Sequence, residues 1–325
     1  MGTRNYTSVI LGGKQVVCQY CQWDGYPSGA GAAILNFLKG CDLEKLKAAL
    51  GNTKLITTTY EESYAATGSS KSVYEIYDRV SAAQREINAG RGAAEPYLGT
   101  YETVKHMLAS GTLAEQEADD FIVTTRDTGC HILEYIYDRD LGKPVLDLFA
   151  VKEEFEEIEG FALDPQHGEV PGCDAQGYYI INLDTNSLYI NFDNYSHTVD
   201  LANLPEDIDR EMFALEESIN AMEEWFYSDA YVGPSSLQNC NLKALVDELA
   251  AKTVAEASNP DRYSDVSNED KQFYGRFAKK YIFRSLQARR EPEKATLDSV
   301  IQAASEIQKQ TEGEKGPEKV VVPEI

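Results

Sequence analysis

The chain has 325 residues, of which 42% are hydrophobic and 26% charged, and its net charge is −24 at pH 7. This composition is typical of a globular protein with a buried core. No stretch approaches the ~18 consecutive apolar residues of a membrane-spanning helix. The negative charge argues against direct nucleic-acid binding, which needs Lys and Arg to neutralise phosphates. We therefore expect a soluble, acidic, cytoplasmic protein with no membrane contact and no direct contact with nucleic acid.

The chain begins with a pattern typical of a β-hairpin. Residues 3–11 and 15–21 are rich in strand-forming side chains, and Gly12-Gly13 between them supplies the positive φ angles of a tight turn. The glycine-rich run 20–31 then turns the chain. "AGAAILNFL" predicts a helix that ends near Leu38, a second short helix follows, and "KLITTTY" predicts a strand.

The middle of the chain alternates between helical and β patterns. "SSKSVYEIYDRVSAAQREI" has apolar residues at helical spacing, and "TTRDTGCHILEYIYD" predicts a helix with Thr125 or Asp127 as its cap. Residues 178–192 predict a second hairpin with "DTNS" as its turn. The alternation in "SLYINF" indicates that one face of this hairpin is buried.

From Asn203 onward the pattern is helical almost throughout. One apolar stripe with steps of four and three residues predicts a helix with a single buried face; its members are Ile208, Met212, Leu215, Ile219, Met222 and Phe226. Ser267 followed by Asp270 predicts a capped helix start. We expect three parts: an α+β domain over 1–202 with a mostly antiparallel sheet and helices, a helical region over 203–310, and a disordered, charged tail over 311–325.

The run "QWDGYPSG" carries more side-chain chemistry than a chain reversal needs. Glycine and proline would suffice for a turn, yet Gln22, Trp23, Asp24 and Tyr26 stand beside them. We therefore predict that this turn presents a polar ligand-binding site. A helix that begins near Gly29 would point its free N–H groups toward the same space, and such groups attract anions.

Arg4 is the sixth candidate site residue. In the predicted hairpin it falls near the strand end from which Gln22 and Asp24 emerge, so a guanidinium–carboxylate pair with Asp24 is expected. Two interpretations stay open. Arg4 and Asp24 either lock the turn to the hairpin, or join Gln22 and Tyr26 in one polar wall with Trp23 as a stacking surface.

Other site patterns in the sequence are incomplete. Cys18 and Cys21 form a CxxC, but on a strand their side chains point to opposite faces, and neither a second CxxC nor a nearby His completes a zinc site. Gly29-Ala30-Gly31 supplies only part of GxGxxG, and no P-loop is present. His131 and Glu134 predict ordinary polar positions on a surface helix. We expect no metal and no cofactor.

Four motifs together resemble a family of uncharacterised bacteriophage and bacterial proteins. They are the opening "MGTRN", the turn "QYCQWDGYPSGAG", "RDTG" before a helix, and the late hairpin "YYIINLDTNSLYI". The resemblance covers roughly residues 1–200. It implies a protein of the bacterial host cytoplasm, but no activity.

The turn "CQWDGYP" also resembles the one that follows the second strand in N-terminal nucleophile hydrolases of the bile-salt and penicillin acylase branch. That resemblance implies an α+β fold of the same kind. Those enzymes require Cys, Ser or Thr at an exposed N-terminus, where the α-amine acts as base. Here removal of Met1 leaves Gly2, and Thr3 would need a further cut.

Two functions follow from these patterns. The first is a phage-type binding or interaction protein that acts on a host protein or on a small polar ligand, anionic or amide-bearing. The alternative is an amide-bond hydrolase on an N-terminal-nucleophile-like scaffold. We prefer the first, because the nucleophile is missing. A mature chain that begins at Thr3 would reverse the preference.

Overall fold

The computed structural model describes residues 2–59, 61–62, 65, 70–92, 95, 97–124, 127–151, 175–231, 233–260 and 266–290. The chain divides into two compact units, Met1–Glu216 and Glu217–Ile325. The predicted tail 311–325 and the proposed cap Thr125 lie outside the described residues. The described secondary structure combines mixed sheets with helices, so the predicted α+β class is confirmed.

The main sheet of the first unit is built from two hairpins that meet side by side. Strands β1 (Asn5–Leu11) and β2 (Lys14–Cys21) form the first, and β5 (Gly177–Asn182) and β6 (Ser187–Phe192) form the second. The strand order is β2-β1-β5-β6-β7, with β7 at Tyr195–Asp200. Only the β1–β5 pairing is parallel, so the sheet is mostly antiparallel as predicted.

One carboxylate joins the turns of the two hairpins by hydrogen bonds. Gly12 and Gly13 have φ angles of 62° and 67°, in the left-handed region that the turn prediction required. Their N–H groups donate to the two carboxylate oxygens of Asp184, at 2.8 and 2.7 Å. Asp184 lies in the turn between β5 and β6, so this carboxylate ties the two predicted hairpins together.

Burial follows the position of each strand in this sheet. Residues of β5 are buried on both faces and nearly all of β1 is too, as expected for central strands covered on two sides. Strand β6 alternates instead, with Leu188, Ile190 and Phe192 buried, which confirms the predicted single buried face. A second, parallel pair of strands, β3 (Thr53–Thr58) and β4 (Leu146–Val151), contacts β2.

Helices of the first unit surround these strands. A π-helical turn at Pro27–Gly31 follows the first hairpin. The described α-helices that lie wholly within this unit are α1 (Ala32–Gly40), α2 (Leu43–Leu50), α3 (Ser70–Ala89), α4 (Thr100–Ser110), α5 (Glu115–Thr124) and α6 (Ile132–Asp138). Helix α3 packs against α4 and α5, and α2 packs against α6.

The helix that carries the apolar stripe is α7 (Ile208–Phe226), and the boundary between the two units falls within it. Five members of the stripe, from Ile208 to Met222, are each at most 2% exposed, while Phe226 is half-buried. The predicted buried face is therefore confirmed over those five residues.

The second unit continues with α8 (Pro234–Asn239), α9 (Leu242–Ala257) and α10 (Asn268–Arg290). Helix α10 packs against α9 and α8. It begins at the predicted cap: Ser267 Oγ accepts from the Asp270 N–H at 3.1 Å, and Ser267 N donates to Asp270 Oδ2 at 3.3 Å. None of the described helices is both long enough and apolar enough to cross a bilayer.

Candidate functional site

The turn between β2 and the π-helical turn is fixed to the two central strands. Gly25 N donates to Thr3 O at 3.0 Å, and Asn5 Nδ2 donates to Trp23 O at 2.9 Å. From β5, the buried Tyr179 hydroxyl donates to Gly25 O at 2.9 Å. The turn residues are therefore held by the most buried part of the sheet, which gives their side chains fixed positions.

Position 29 requires glycine because the backbone there lies very close to the carbonyl of Asp24. The Ala30 N–H donates to the carbonyl of Asp24 at 2.9 Å, which brings the two ends of the turn together. A Cβ placed on Gly29 would lie 2.5 Å from the Asp24 carbonyl oxygen, closer than atoms can pack. Asp24 itself has φ of 54°, and its side chain is exposed. The glycine thus shapes the turn that presents Asp24.

The expectation of free N–H groups near Gly29 is wrong. The N–H of Ser28 donates to Glu216 Oε2 at 3.2 Å, and its hydroxyl donates to the same oxygen. The N–H groups of Gly29 and Ala30 donate to the carbonyls of Tyr26 and Asp24. Because a carboxylate from α7 and the carbonyls of the turn satisfy these donors, the helix start holds no vacant anion site at these positions.

A cavity of about 440 Å³ opens beside the turn. Trp23, Asp24 and Gly29 line one side of it. The other walls come from Asn5 and Cys21 on the first hairpin, from Ala33 on α1 and Gln84 on α3, from the start of α4 and the residues before it, and from the segment 127–131. Among the described lining residues there is no Lys or Arg, whereas three carboxylates are present, those of Asp24, Glu102 and Asp127.

Trp23 connects the turn to the segment 127–131 of the cavity wall. Its Nε1 donates to Asp127 Oδ1 at 3.0 Å, although its side chain is 48% exposed. Burial raises the pKa of Asp127 above its ordinary value, and the hydrogen bond from Trp23 offsets part of that rise. Asp127 was one of two predicted helix caps. The structure instead gives its carboxylate this contact with Trp23, and the short helical turn that follows it has no side-chain cap.

His131 and Tyr101 form a stacked pair in the cavity wall. Their ring centroids are 5.3 Å apart with an angle of 14° between the planes. His131 Nδ1 lies 3.2 Å from Glu134 Oε1, and Lys105 Nζ lies 3.3 Å from Glu134 Oε2. The hydrogen bond with His131, together with the charge of Lys105, lowers the pKa of Glu134. His131 was predicted as an ordinary surface position, but the structure places it at the site.

Two of the cysteines belong to the same cavity, and both are protonated at neutral pH. Burial raises the pKa of Cys21 to about 11 and that of Cys130 to about 12. Cys18, three residues before Cys21, lies instead in a core cluster with Tyr6 and Tyr178. Within the described part of the chain, no three His, Cys, Asp or Glu side chains are arranged to hold a metal ion.

The remaining predicted site residues are not among the described lining residues of the cavity. The ring of Tyr26 packs against Phe192 at 5.9 Å between centroids. The carbonyl of Arg4 accepts from Gln176 N at 3.0 Å, beside β5. No ion pair between described residues joins Arg4 to Asp24, so the expected pair is not formed. Of the six predicted residues, Trp23, Asp24 and Gly29 line the cavity, and Arg4, Gln22 and Tyr26 are not among its described lining residues.

Sequence reasoning missed Asp127, His131, Tyr101 and Glu102 as site residues. Each of them lines the same cavity as Trp23 and Asp24 only because of the fold, since about 80 to 110 positions of sequence separate them. The one local signal is "RDTGCH", whose pattern predicts a helix start but does not show that it forms a wall of the same cavity. Comparison of the chain with protein-family models, with curated proteins and with solved structures gave no match.

Proposed function

We propose that the chain is a ligand-binding protein and that the cavity beside Trp23 and Asp24 receives a small polar ligand. The observation that carries this proposal is the convergence of polar and aromatic side chains from separate elements on one open cavity. Its volume of about 440 Å³ is in the range of small-molecule sites. The ligand is a free molecule or a side chain of a partner, such as a host protein in the phage setting.

The chemistry of the lining favours one of the two expected ligand classes. An anionic ligand would meet three carboxylates and no described Lys or Arg in the wall. An amide-bearing ligand brings N–H groups that carboxylates and carbonyls accept. We therefore favour a ligand that donates hydrogen bonds over an anionic one.

The amide hydrolase remains the second candidate, and the surroundings of Thr3 speak against it. Thr3 is 3% exposed, and its carbonyl accepts from Gly25. Gly2 before it lies so close to Trp23 that an added Cβ would be 2.1 Å from the indole ring. A nucleophile at Thr3 would need an exposed α-amine and a path for substrate. Intact-mass spectrometry of the mature chain tests this alternative, because only a chain that begins at Thr3 would support it.

Binding can be tested with the two tryptophans, one in the cavity and one in the other unit. Trp225 packs between Phe226 and Tyr231, with centroid distances of 4.9 and 5.2 Å. In a ¹H–¹⁵N NMR screen of small amides, amines, acids and neutral polar compounds, we expect hits to shift the Trp23 indole signal and leave Trp225 unchanged. Trp225→Phe assigns the two signals. A library that gives no saturable shift of the Trp23 signal would contradict the proposal.

A further inference from the structure

We propose that the ligand of this cavity is an organic cation with N–H donors, such as an amine or a guanidinium. This inference rests on the proposed function, because it names the ligand class for the same site. It rests on the hydrogen-bonding groups of the wall, in which two carboxylates are open and several of the side-chain donors are already used within the protein.

Two carboxylates of the wall are open, and a third acceptor, on Asn5, is buried without a partner. The carboxylates of Asp24 and Glu102 make no ion pair and no side-chain hydrogen bond with any described residue, and both belong to the lining. Asn5 is 1% exposed, and its Oδ1 is buried without a hydrogen-bond partner among the described groups. A buried acceptor without a donor is uncommon in proteins, and a ligand N–H that reached it would remove that cost.

The side-chain donors around these acceptors are mostly engaged within the protein. Asn5 Nδ2 and Cys21 Sγ both donate to the carbonyl of Trp23, and Trp23 Nε1 donates to Asp127. Gln84 Nε2 donates to Leu98 O at 3.1 Å, and Thr128 Oγ1 donates to Ile122 O at 3.0 Å. A ligand that needs donors finds few here, whereas a ligand that supplies donors finds open acceptors.

The charges around the cavity point the same way. The carboxylates of Asp24, Glu102 and Asp127 line it without any Lys or Arg among the described lining residues. The nearby cation Lys105 is held by Glu134 and lies over the Tyr101 ring, 4.4 Å from its centroid. A positively charged ligand compensates the three carboxylates, and an anion would add to their repulsion.

Aromatic rings complete the site for a cation. Trp23 and Tyr97 both line the cavity and are 48% and 72% exposed, so part of each side chain is accessible from solvent. Ammonium and guanidinium groups are attracted to the faces of such rings, and tryptophan is the strongest of them. The exposed rings therefore suit the same ligand as the open carboxylates.

The test compares three probes of similar size on the full-length chain. Butylguanidinium carries the charge and the donors, butylurea is its neutral isostere, and pentanoate is an anion. Titrations followed by the Trp23 indole signal should show binding of butylguanidinium at least about tenfold tighter than butylurea, the size expected for a charge-assisted hydrogen bond. We expect no saturable response to pentanoate.

Matched variants assign the effect to the open acceptors. Asp24→Asn removes the charge and keeps the turn, because Asn tolerates the positive φ of this position. Asp24→Asn and Glu102→Gln should each weaken butylguanidinium binding by about tenfold. Glu75→Gln, at an exposed position on α3 away from the cavity, should leave it unchanged and so controls for the overall negative charge.

Different results would contradict the proposal that the cavity binds a ligand and the proposal that this ligand is a cation. If butylurea or pentanoate binds at Trp23 as tightly as butylguanidinium, the cation inference is wrong while ligand binding at the cavity stands. If Glu75→Gln weakens binding as much as Asp24→Asn, the attraction is general and the inference is also wrong. If no probe and no compound of the mixed library shifts the Trp23 signal, both proposals are overturned.

Discussion

Asp127 combines two opposing effects at a single carboxylate. It accepts the hydrogen bond of the Trp23 indole at 3.0 Å, and partial burial raises its pKa. A carboxyl whose pKa is higher in the folded chain than in the unfolded chain holds its proton more tightly when folded. Its ionisation therefore lowers stability at pH above the folded-state pKa, and this cost is absent below the unfolded-state pKa.

Two substitutions at Asp127 separate these effects. Asp127→Asn keeps an acceptor for Trp23 and removes the buried charge, so we expect unchanged or slightly higher stability at pH 7. Any gain should be smaller near pH 4, where more of the wild-type carboxyl is protonated than at pH 7. Asp127→Ala removes the acceptor and should lower stability by about 0.5–1.5 kcal/mol. Urea unfolding at both pH values measures this, and equal losses for the two variants would contradict it.

The cavity cysteines should be unreactive while the chain is folded. Since burial raises the pKa of Cys21 to about 11 and of Cys130 to about 12, the reactive thiolate is scarce at pH 7.5. We expect iodoacetamide to modify both at least tenfold more slowly in the native chain than in urea. Peptide mass spectrometry reads out each site. Rapid native alkylation of Cys21 would mean that its thiol is exposed or activated.

At the residue scale, the sequence predicted one side of the site and not the other. Trp23 and Asp24 could be found because a chain reversal requires neither an indole nor a carboxylate. Gly29 was found as the expected start of a helix, although its N–H group is not free. Arg4 was expected to pair with Asp24, since the hairpin register brings its backbone near the turn. Register fixes the backbone position but not the direction of a long side chain. His131 could not be assigned, because its stacking on Tyr101 depends on how α4 packs.

The π-helical turn Pro27–Gly31 follows the turn after β2 and contributes Gly29 and Ala30 to the edge of the cavity. Gly29 permits the contact with the Asp24 carbonyl, where an added Cβ would lie 2.5 Å away. Its N–H groups are satisfied by Glu216 and by turn carbonyls, so it orients side chains and is not an anion site. This element therefore supports the site through its shape.

Gly29→Ala should disturb the turn because the clash is with backbone, which cannot rotate away. We expect a loss of stability of about 1–3 kcal/mol, comparable to other strained backbone positions, together with a shift of the Trp23 indole signal. Gly40→Ala on α1 is the control, because nothing lies within 4 Å of a Cβ there. A Gly29→Ala variant as stable as wild type would show that the close approach is relieved at little cost.

Helix α7 provides the clearest test of the predicted apolar stripe. Leu215 is fully buried, so Leu215→Ala should cost about 2–5 kcal/mol, from lost burial plus the cavity that remains. Asn220→Ala, on the same helix but half-buried, should change stability by less than about 0.5 kcal/mol. Thermal or urea unfolding distinguishes the two, and a Leu215→Ala effect as small as the control would mean that the stripe is not core.

Elements with strong local signals were predicted and weaker ones were missed. The two hairpins follow from alternation and turn chemistry, and α7 follows from its periodic stripe. Strand β4 was not predicted, because it pairs with β3, a strand about 90 residues earlier in the sequence. Strand β7, "YSHTVD", carries few apolar side chains and is a strand because β6 pairs with it. Such strands depend on partners that periodicity alone does not identify.

The whole molecule is strongly acidic, and this charge adds a general attraction for cations to the contacts of the proposed site. At −24, the chain attracts cations and repels anions over roughly a Debye length, ~8 Å at physiological salt. The part of the affinity that depends on this general field should fall with added salt. The part that comes from direct contacts with the open carboxylates of Asp24 and Glu102 should persist, because short contacts are screened less.

The most direct test of the account is a crystal structure of the chain with butylguanidinium. We predict density for the guanidinium in the cavity, with its nitrogens within hydrogen-bond distance of the carboxylates of Asp24 and Glu102 and its alkyl chain against Trp23. A crystal in which the cavity is closed by the protein's own side chains, or in which the probe occupies only other surfaces, would contradict the proposed site.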